Sequence, residues 1–208
     1  MLKVIEDLKS ELTMLFKEEN TGHDISHLIR VYDYAIDIQN HEGGDLYIVA
    51  VGALVHDVHR LMSNKCGYYI SGEESVDEVR NLLLRCNVDL NKLESILDIV
   101  KNHDHKENKN QSIETLIVQD ADALDAIGDI GLERTLKYCK KHDIPISNTN
   151  YPLDTKEYIP DINPISTCHY VYNTMIKEAK NLYTKRAREL SLNKLDVLER
   201  FVKENYRG

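Results

Sequence analysis

A histidine and an aspartate stand side by side at His56-Asp57, directly after an apolar run, Leu46 to Val55, that contains no charge. Drawing a carboxylate into a core beside an imidazole is costly unless a counter-charge compensates, and a divalent cation is the usual one. Two further places offer ligands of the same kind: His27, and the group Asp120, Asp122 and Asp125. Each has a plain alternative. His27 fits a satisfied core histidine, Asp57 fits a cap for the segment after it, and Asp120 or Asp125 fits a cap for a neighbouring turn. Spacing alone leaves these alternatives open.

The elements that must position those residues read as helices. Val4, Ile5, Leu8, Leu12, Leu15 and Phe16 recur at helical spacing in 2–19, and Asn20-Thr21-Gly22 is a stop. Asp24 is placed to cap a second helix that shares His27, Val31, Tyr34 and Ile38 on one face, and Asp45 to cap a third ending at His56-Asp57. Residues 58–70 read as irregular. Helices follow over Ser71–Cys86, Asn87–Asn102, from Ser112 to an interruption at Gly128, and over Leu132–His142. All four prolines fall between 145 and 164, a long stretch for a connection and either functional or a plain surface loop. Helices resume from Ile165 to Tyr206. No window sustains strand-like alternation, so the expected class is all-α. The expected organisation is one domain over 1–208, with a metal-binding core over 21–142, a proline-containing loop over 143–164 and C-terminal helices over 165–207.

Composition narrows the function. A net charge of −9 sets the field of the whole protein against duplex nucleic acid. Cys66, Cys86, Cys139 and Cys168 lie far apart without a C-x-x-C pair, which gives neither a zinc knuckle nor a disulfide framework. The amino terminus lacks the apolar stretch of a secretory signal, and Leu46–Val55 is too short for a bilayer, which needs about 20 apolar residues. A cytoplasmic protein with no membrane partner, monomeric or homodimeric, is expected.

Taken in order, three blocks stand out: Gly22-His23-Asp24-x-x-His27-x-x-Arg30-Val31, then Ala53-Leu54-Val55-His56-Asp57-Val58, then Val118-Gln119-Asp120-Ala121-Asp122-Ala123-Leu124-Asp125-Ala126-Ile127-Gly128. This set resembles the HD-domain metal-dependent phosphohydrolases, whose defining order is H…HD…D. The third block, continuing through Gly131-Leu132-Glu133-Arg134, is similar to the bacterial YedJ/YpgQ-like subgroup, as are His169-Tyr170-Val171-Tyr172 and the 184–189 region. The resemblance runs from Thr21 to Phe201. It implies an HD-domain helical bundle in which His27, His56, Asp57 and Asp122 hold one divalent metal ion. Two imidazoles and two carboxylates form a borderline donor set. The resemblance puts Mn²⁺ first, and the donors also suit Fe²⁺, Co²⁺, Ni²⁺ or Zn²⁺.

Other residues are expected around that centre. His23, four positions before His27, is read as a phosphate contact or a residue that positions a ligand. Arg30 contacts either a substrate phosphate or a surface acid. His103 or His105 is a phosphate contact or general acid, or part of a solvated loop. Glu73 and Glu74 are candidate bases, or merely acids favoured by a helix N-terminus; Asp57 also suits orienting the attacking water. Lys65, Lys101 and Lys106 are candidates for a phosphate pocket, and most charged residues are simply solvated. Tyr151, Tyr158, Tyr170 and Tyr172 suit base stacking or a core. Some proteins of the family it resembles look binuclear and usually carry a histidine where this chain has Ser71, so one metal is expected. His59-Arg60 replaces an acidic pair, and Ala123 an arginine, which leaves substrate preference open.

The function so implied is hydrolysis of a phosphoester or phosphoanhydride bond in a small nucleotide, such as a (deoxy)nucleoside triphosphate to monophosphate plus pyrophosphate. The alternatives are a non-catalytic nucleotide- or metal-binding module, or a phosphodiesterase on cyclic or single-stranded nucleic acid.

Overall fold

The structure, a computed structural model, describes residues 1–17, 23–104, 111–155 and 164–206. The expected helix stop at Asn20-Thr21-Gly22, with His105, Lys106, Tyr158 and Pro160, lies outside these residues. Among the described residues there is no strand, and the all-α expectation holds. No helix among the described residues is long and apolar enough to cross a membrane. The chain divides into two compact units, Met1–Asp122 and Ala123–Gly208.

The first unit is built on α1 (Leu2–Leu15), α2 (Ile25–Glu42), α3 (Leu46–Val55), α4 (Val58–Cys66), α5 (Val76–Arg85), α6 (Leu93–Asn102) and most of α7 (Ile113–Ala126). Its core joins Leu8 and Leu12 of α1, Leu28 of α2, Leu54 of α3, Leu82 and Leu83 of α5, and Ile96, Leu97 and Val100 of α6. Every residue of α3 from Val49 to Val55 is buried, so this helix is surrounded rather than amphipathic. Its glycine has a packing reason. A Cβ on Gly52 would stand 2.5 Å from Ile99 Cδ1, so glycine lets α6 close onto α3. Both caps read from the sequence are present: Asp24 accepts from the His27 amide, and Asp45 from those of Tyr47 and Ile48.

Residues 58–70 depart from expectation. Val58–Cys66 is helical, and Gly67 ends it in the left-handed region at φ 77° with its amide bonded to the Ser63 carbonyl. The buried residues of α4 are Val58 and His59. Residues 71–75 form turns instead of the first turn of α5, and α6 starts at Leu93.

The second unit contains α8 (Gly128–Lys141), α9 (Thr167–Tyr170), a π-helical segment (Val171–Ile176), α10 (Lys177–Lys180) and α11 (Lys185–Asn205). Gly128, at φ 76°, makes the break between α7 and α8, so α8 begins four residues earlier than expected. Asp125 is buried and answered by Arg134 of α8, whose Nη1 lies 3.4 Å from its carboxylate and whose Nη2 donates to its carbonyl at 3.1 Å. That pairing accounts for Asp125 as a structural group.

Candidate metal centre

His27 sits in the first turn of α2, fixed there because its amide donates to the Asp24 cap at 3.0 Å. His56 closes α3, and Asp57 follows at the start of α4. Asp57 occupies the cap position of α4 but makes no capping hydrogen bond, which removes the plain explanation of this residue. Asp122 comes from α7, which is tied down by the Gln119 amide nitrogen donating to the Asn102 carbonyl at 2.7 Å and by Glu114 accepting from the Asp45 amide at 2.9 Å.

These four side chains converge. His27 Nε2 lies 3.3 Å from Asp57 Oδ2 and 3.5 Å from Asp122 Oδ1. His56 Nε2 lies 3.8 Å from Asp57 Oδ2 and 3.9 Å from Asp122 Oδ1. His23 Nδ1 bonds Asp57 Oδ2 at 2.6 Å, with its ring about one-third exposed where the other histidines are buried. With His27 and Asp57 it forms one of the groups whose donor atoms lie within 4.8 Å of one another.

The buried imidazoles are oriented for ligation. His56 Nδ1 donates to the Ala53 carbonyl at 2.8 Å and His103 Nδ1 to the Val100 carbonyl at 2.8 Å. A carbonyl only accepts, so each Nδ1 carries a proton, and in the neutral ring Nε2 offers a lone pair. Neither Nε2 has a hydrogen-bond partner among the described residues. A buried polar atom left unmet costs about 1–3 kcal/mol, and an imidazole clamped through its other nitrogen is the usual arrangement of a metal ligand. The donor set therefore fits a divalent cation.

Electrostatics agree. Burial alone would raise the Asp57 carboxyl, but the imidazoles gathered around it, His56, His103, His23 and His27, hold it well below the ordinary carboxylate range. Burial holds His56 below its usual value, so the ring stays neutral as a ligand must. Burial also works to lower His103, yet the neighbouring carboxylates of Asp57, Asp104 and Asp122 outweigh it and raise this ring.

The remaining sequence candidates separate. His103 joins the cluster, with Nε2 3.6 Å from Asp57 Oδ1. Arg30 is half-buried on α2, one turn beyond His27. Glu74 is taken up locally, its Oε2 accepting from the Ser71 amide and hydroxyl at 2.8 Å each. Glu73 and Lys65 are exposed and make no ion pair with the cluster among the described residues. Lys101 is half-buried in the last turn of α6. Asp120 is buried but belongs to none of the ligand groupings.

Sequence reasoning missed His59 and Asp104 as parts of the site. His59 is fully buried with Nδ1 3.8 Å from Asp57 Oδ1, and its Nε2 lies 3.7 Å from Asp104 Oδ2. The available signal was its i+3 spacing from His56 at a helix junction, which puts both rings on one side. Arg60 reaches the same oxygen, its Nε 3.5 Å from Asp57 Oδ1 with one-third of the side chain exposed.

Comparison with known proteins accords with this geometry. The HD domain family model matches residues 24–127, half of the chain. Over 142 residues the chain is 33% identical to YpgQ of Bacillus subtilis (strain 168), covering 66% of this chain and 67% of YpgQ. The crystal structure of Bacillus subtilis YpgQ in complex with ADP matches with a TM-score of 0.74 at 24% identity, over 98% of this chain and 93% of that one. That of an HD-superfamily hydrolase from Bacillus thuringiensis matches with a TM-score of 0.72 at 26% identity, over 96% and 93%. The chain belongs to the HD domain family, and it is an HD-type metal-dependent phosphohydrolase.

Proposed function

We propose that the substrate is a small nucleotide, a (deoxy)nucleoside triphosphate cleaved to monophosphate and pyrophosphate, and that His27, His56, Asp57 and Asp122 hold the catalytic ion. The observation that carries the reading is the convergence of two buried imidazole nitrogens and two carboxylates from α2, α3 and α7 and the α3–α4 junction. When bound, the divalent ion supplies Lewis acidity toward a phosphoryl oxygen and lowers the pKa of a water. Mn²⁺ leads among the ions this donor set suits.

The chain's own groups complete the site. His23 is the one histidine of the cluster with substantial exposure, and its hydrogen bond to Asp57 lets it hold or pass a proton at the Nδ1–Oδ2 contact. His103 is buried with Nε2 turned toward Asp57 and Asp104, so we assign proton handling to His23 in preference to His103 or the exposed Glu73. Arg60, one-third exposed beside Asp57, offers a local positive charge for a phosphate in a chain of net charge −9. The crystal structure of the relative YpgQ in complex with ADP supports a nucleotide over other phosphoesters.

The test is a panel of nucleoside mono-, di- and triphosphates with Mn²⁺, Co²⁺, Ni²⁺ or Zn²⁺, scored separately for pyrophosphate and orthophosphate. Pyrophosphate from triphosphates is expected. A folded protein that turns over none of them overturns the reading. Nucleotide-induced thermal stabilisation without turnover, unchanged by His56→Ala and Asp57→Ala, would instead mark a binding module. Steeply salt-dependent binding of single strands would mark a phosphodiesterase.

A further inference from the structure

One aromatic ring stands at the rim of the metal centre without being buried there. Tyr69 is 60% exposed, yet its side chain is anchored at two points. Its hydroxyl donates to Asp104 Oδ2 at 3.2 Å, and its ring meets that of His59 at 77° with centroids 6.0 Å apart. Asp104 in turn lies 3.3 Å from His103 Nε2 and 3.7 Å from His59 Nε2, which ties the phenol to the imidazoles around Asp57. A T-shaped contact occupies at most one face of a ring, and the exposure of Tyr69 leaves the other to solvent.

The backbone holds that ring in place. Gly67 ends α4 two residues before it, and Ile70 directly after it is buried, its amide donating to Ser63 Oγ at 2.8 Å. Gly72 then closes onto α6, where a Cβ would stand 2.1 Å from the Val100 carbonyl oxygen. Tyr69 is therefore carried on a short span fixed on both sides. Tyr68 is the contrast: it is 65% exposed and makes no hydrogen bond or ring contact among the described residues. Arg60 reaches the same rim from α4, its Nε 3.5 Å from Asp57 Oδ1, close enough for its charge to act on the Tyr69 phenol. A guanidinium for a phosphate beside an open aromatic face for a base is the pair of contacts a nucleotide requires.

We propose that Tyr69 is a specificity residue of this site: the nucleobase of the substrate stacks on its exposed face while Asp104 holds its hydroxyl. The proposal rests on the nucleotide reading above and adds the group that recognises the base. Stacking reads a π-face and not a pattern of donors and acceptors, so purine and pyrimidine nucleotides both bind. Tyr69 is not one of the four tyrosines that the sequence suggests for stacking.

The test is binding, with cleavage blocked. Mn²⁺-loaded protein is titrated by calorimetry with the α,β-methylene analogue of ATP, whose α–β linkage resists hydrolysis, and with methylene bisphosphonate as the control without a base. Tyr69→Leu is expected to weaken the nucleotide analogue about tenfold and to leave the bisphosphonate unchanged. Tyr69→Phe, which keeps the ring, and Tyr68→Leu stay near wild type. Equal weakening of both ligands, or an unchanged nucleotide affinity in Tyr69→Leu, overturns the proposal. So does Tyr69→Phe as weak as Tyr69→Leu, which would reduce Tyr69 to an anchor for Asp104. A second measurement uses the absence of tryptophan from the chain: Tyr69→Trp places a single fluorophore on the platform. Its emission should be quenched by the nucleotide analogue and not by the bisphosphonate, with Tyr68→Trp unquenched. No quenching at 69, or equal quenching at both positions, also overturns the proposal, and a wild type that does not bind the analogue overturns both readings. Base-dependent binding through Tyr69 without hydrolysis of any triphosphate defeats only the functional reading. Hydrolysis of triphosphates with nucleotide affinity indifferent to Tyr69→Leu defeats only this one.

Discussion

Buried histidines occur in both units, and they are satisfied in different ways. In the second unit His169 is fully buried with both ring nitrogens engaged: Nδ1 with the Ser166 hydroxyl at 2.8 Å and Nε2 with the Tyr151 carbonyl at 3.2 Å. The carbonyl fixes the proton on Nε2, so Nδ1 accepts from the serine and the ring is complete. In the first unit His56, His59 and His103 are equally buried but only half engaged, each tied through Nδ1 to a carbonyl three residues earlier, with Nε2 open. Burial of a histidine therefore says little about function. Which nitrogen is left over says much more.

The difference can be broken by mutation, most severely at the shared carboxylate. Asp57→Asn should lower activity by about 10³-fold or more, about 4 kcal/mol of transition-state stabilisation, with loss of bound metal in elemental analysis. Retention of metal at wild-type level would separate Asp57 from the centre.

Acid should act next on the metal-free protein. Burial, helped by His103 and Arg60, pushes His59 down to about 4, whereas in the unfolded chain it titrates near its ordinary value. The unfolded state therefore binds the extra proton between about pH 6.5 and 4, and stability present above that window is lost as pH falls through it, by at most about 3 kcal/mol from this group. His103, raised in the fold, has the opposite sign: its contribution is full below about pH 6.5 and lost as pH rises through the raised value, which offsets part of the acid loss. Urea midpoints in chelator at pH 7 and pH 4.5 measure the net; no loss at the lower pH contradicts a neutral buried His59.

His169→Ala should cost about 2 kcal/mol of stability in urea, because Ser166 loses a buried partner, and should leave bound metal unchanged. A metal loss there would erase the distinction between the two kinds of histidine. The smallest effect is expected at His23→Ala: a drop in activity of about tenfold, about 1.4 kcal/mol, with metal content retained and the pH profile of kcat altered. An unaltered profile would reduce His23 to a structural contact of Asp57.

His27, His56, Asp57 and Asp122 were legible in the chain because each sits in a block of recognisable order, and the capping aspartates Asp24 and Asp45 made the surrounding helices legible too. His59 and α4 were hidden by one cause. The stretch 58–70 read as irregular, although Val58 packs into the core with Leu61 one turn on, and with that helix unread nothing marked His59 as inward-facing. Glu74 shows a different limit: its place after the HD pair left a base and a helix N-terminal acid both open, and its carboxylate closes a local turn with Ser71. The π-helical run Val171–Ile176 also has no sequence mark that period counting reads.

Locating the ion tests the central claim most directly. Crystals grown with Mn²⁺ and measured for anomalous scattering at its absorption edge should show a peak about 2.0–2.3 Å from the Nε2 atoms of His27 and His56 and from carboxylate oxygens of Asp57 and Asp122. A Mn²⁺-saturated crystal with no peak among these four side chains would contradict the account.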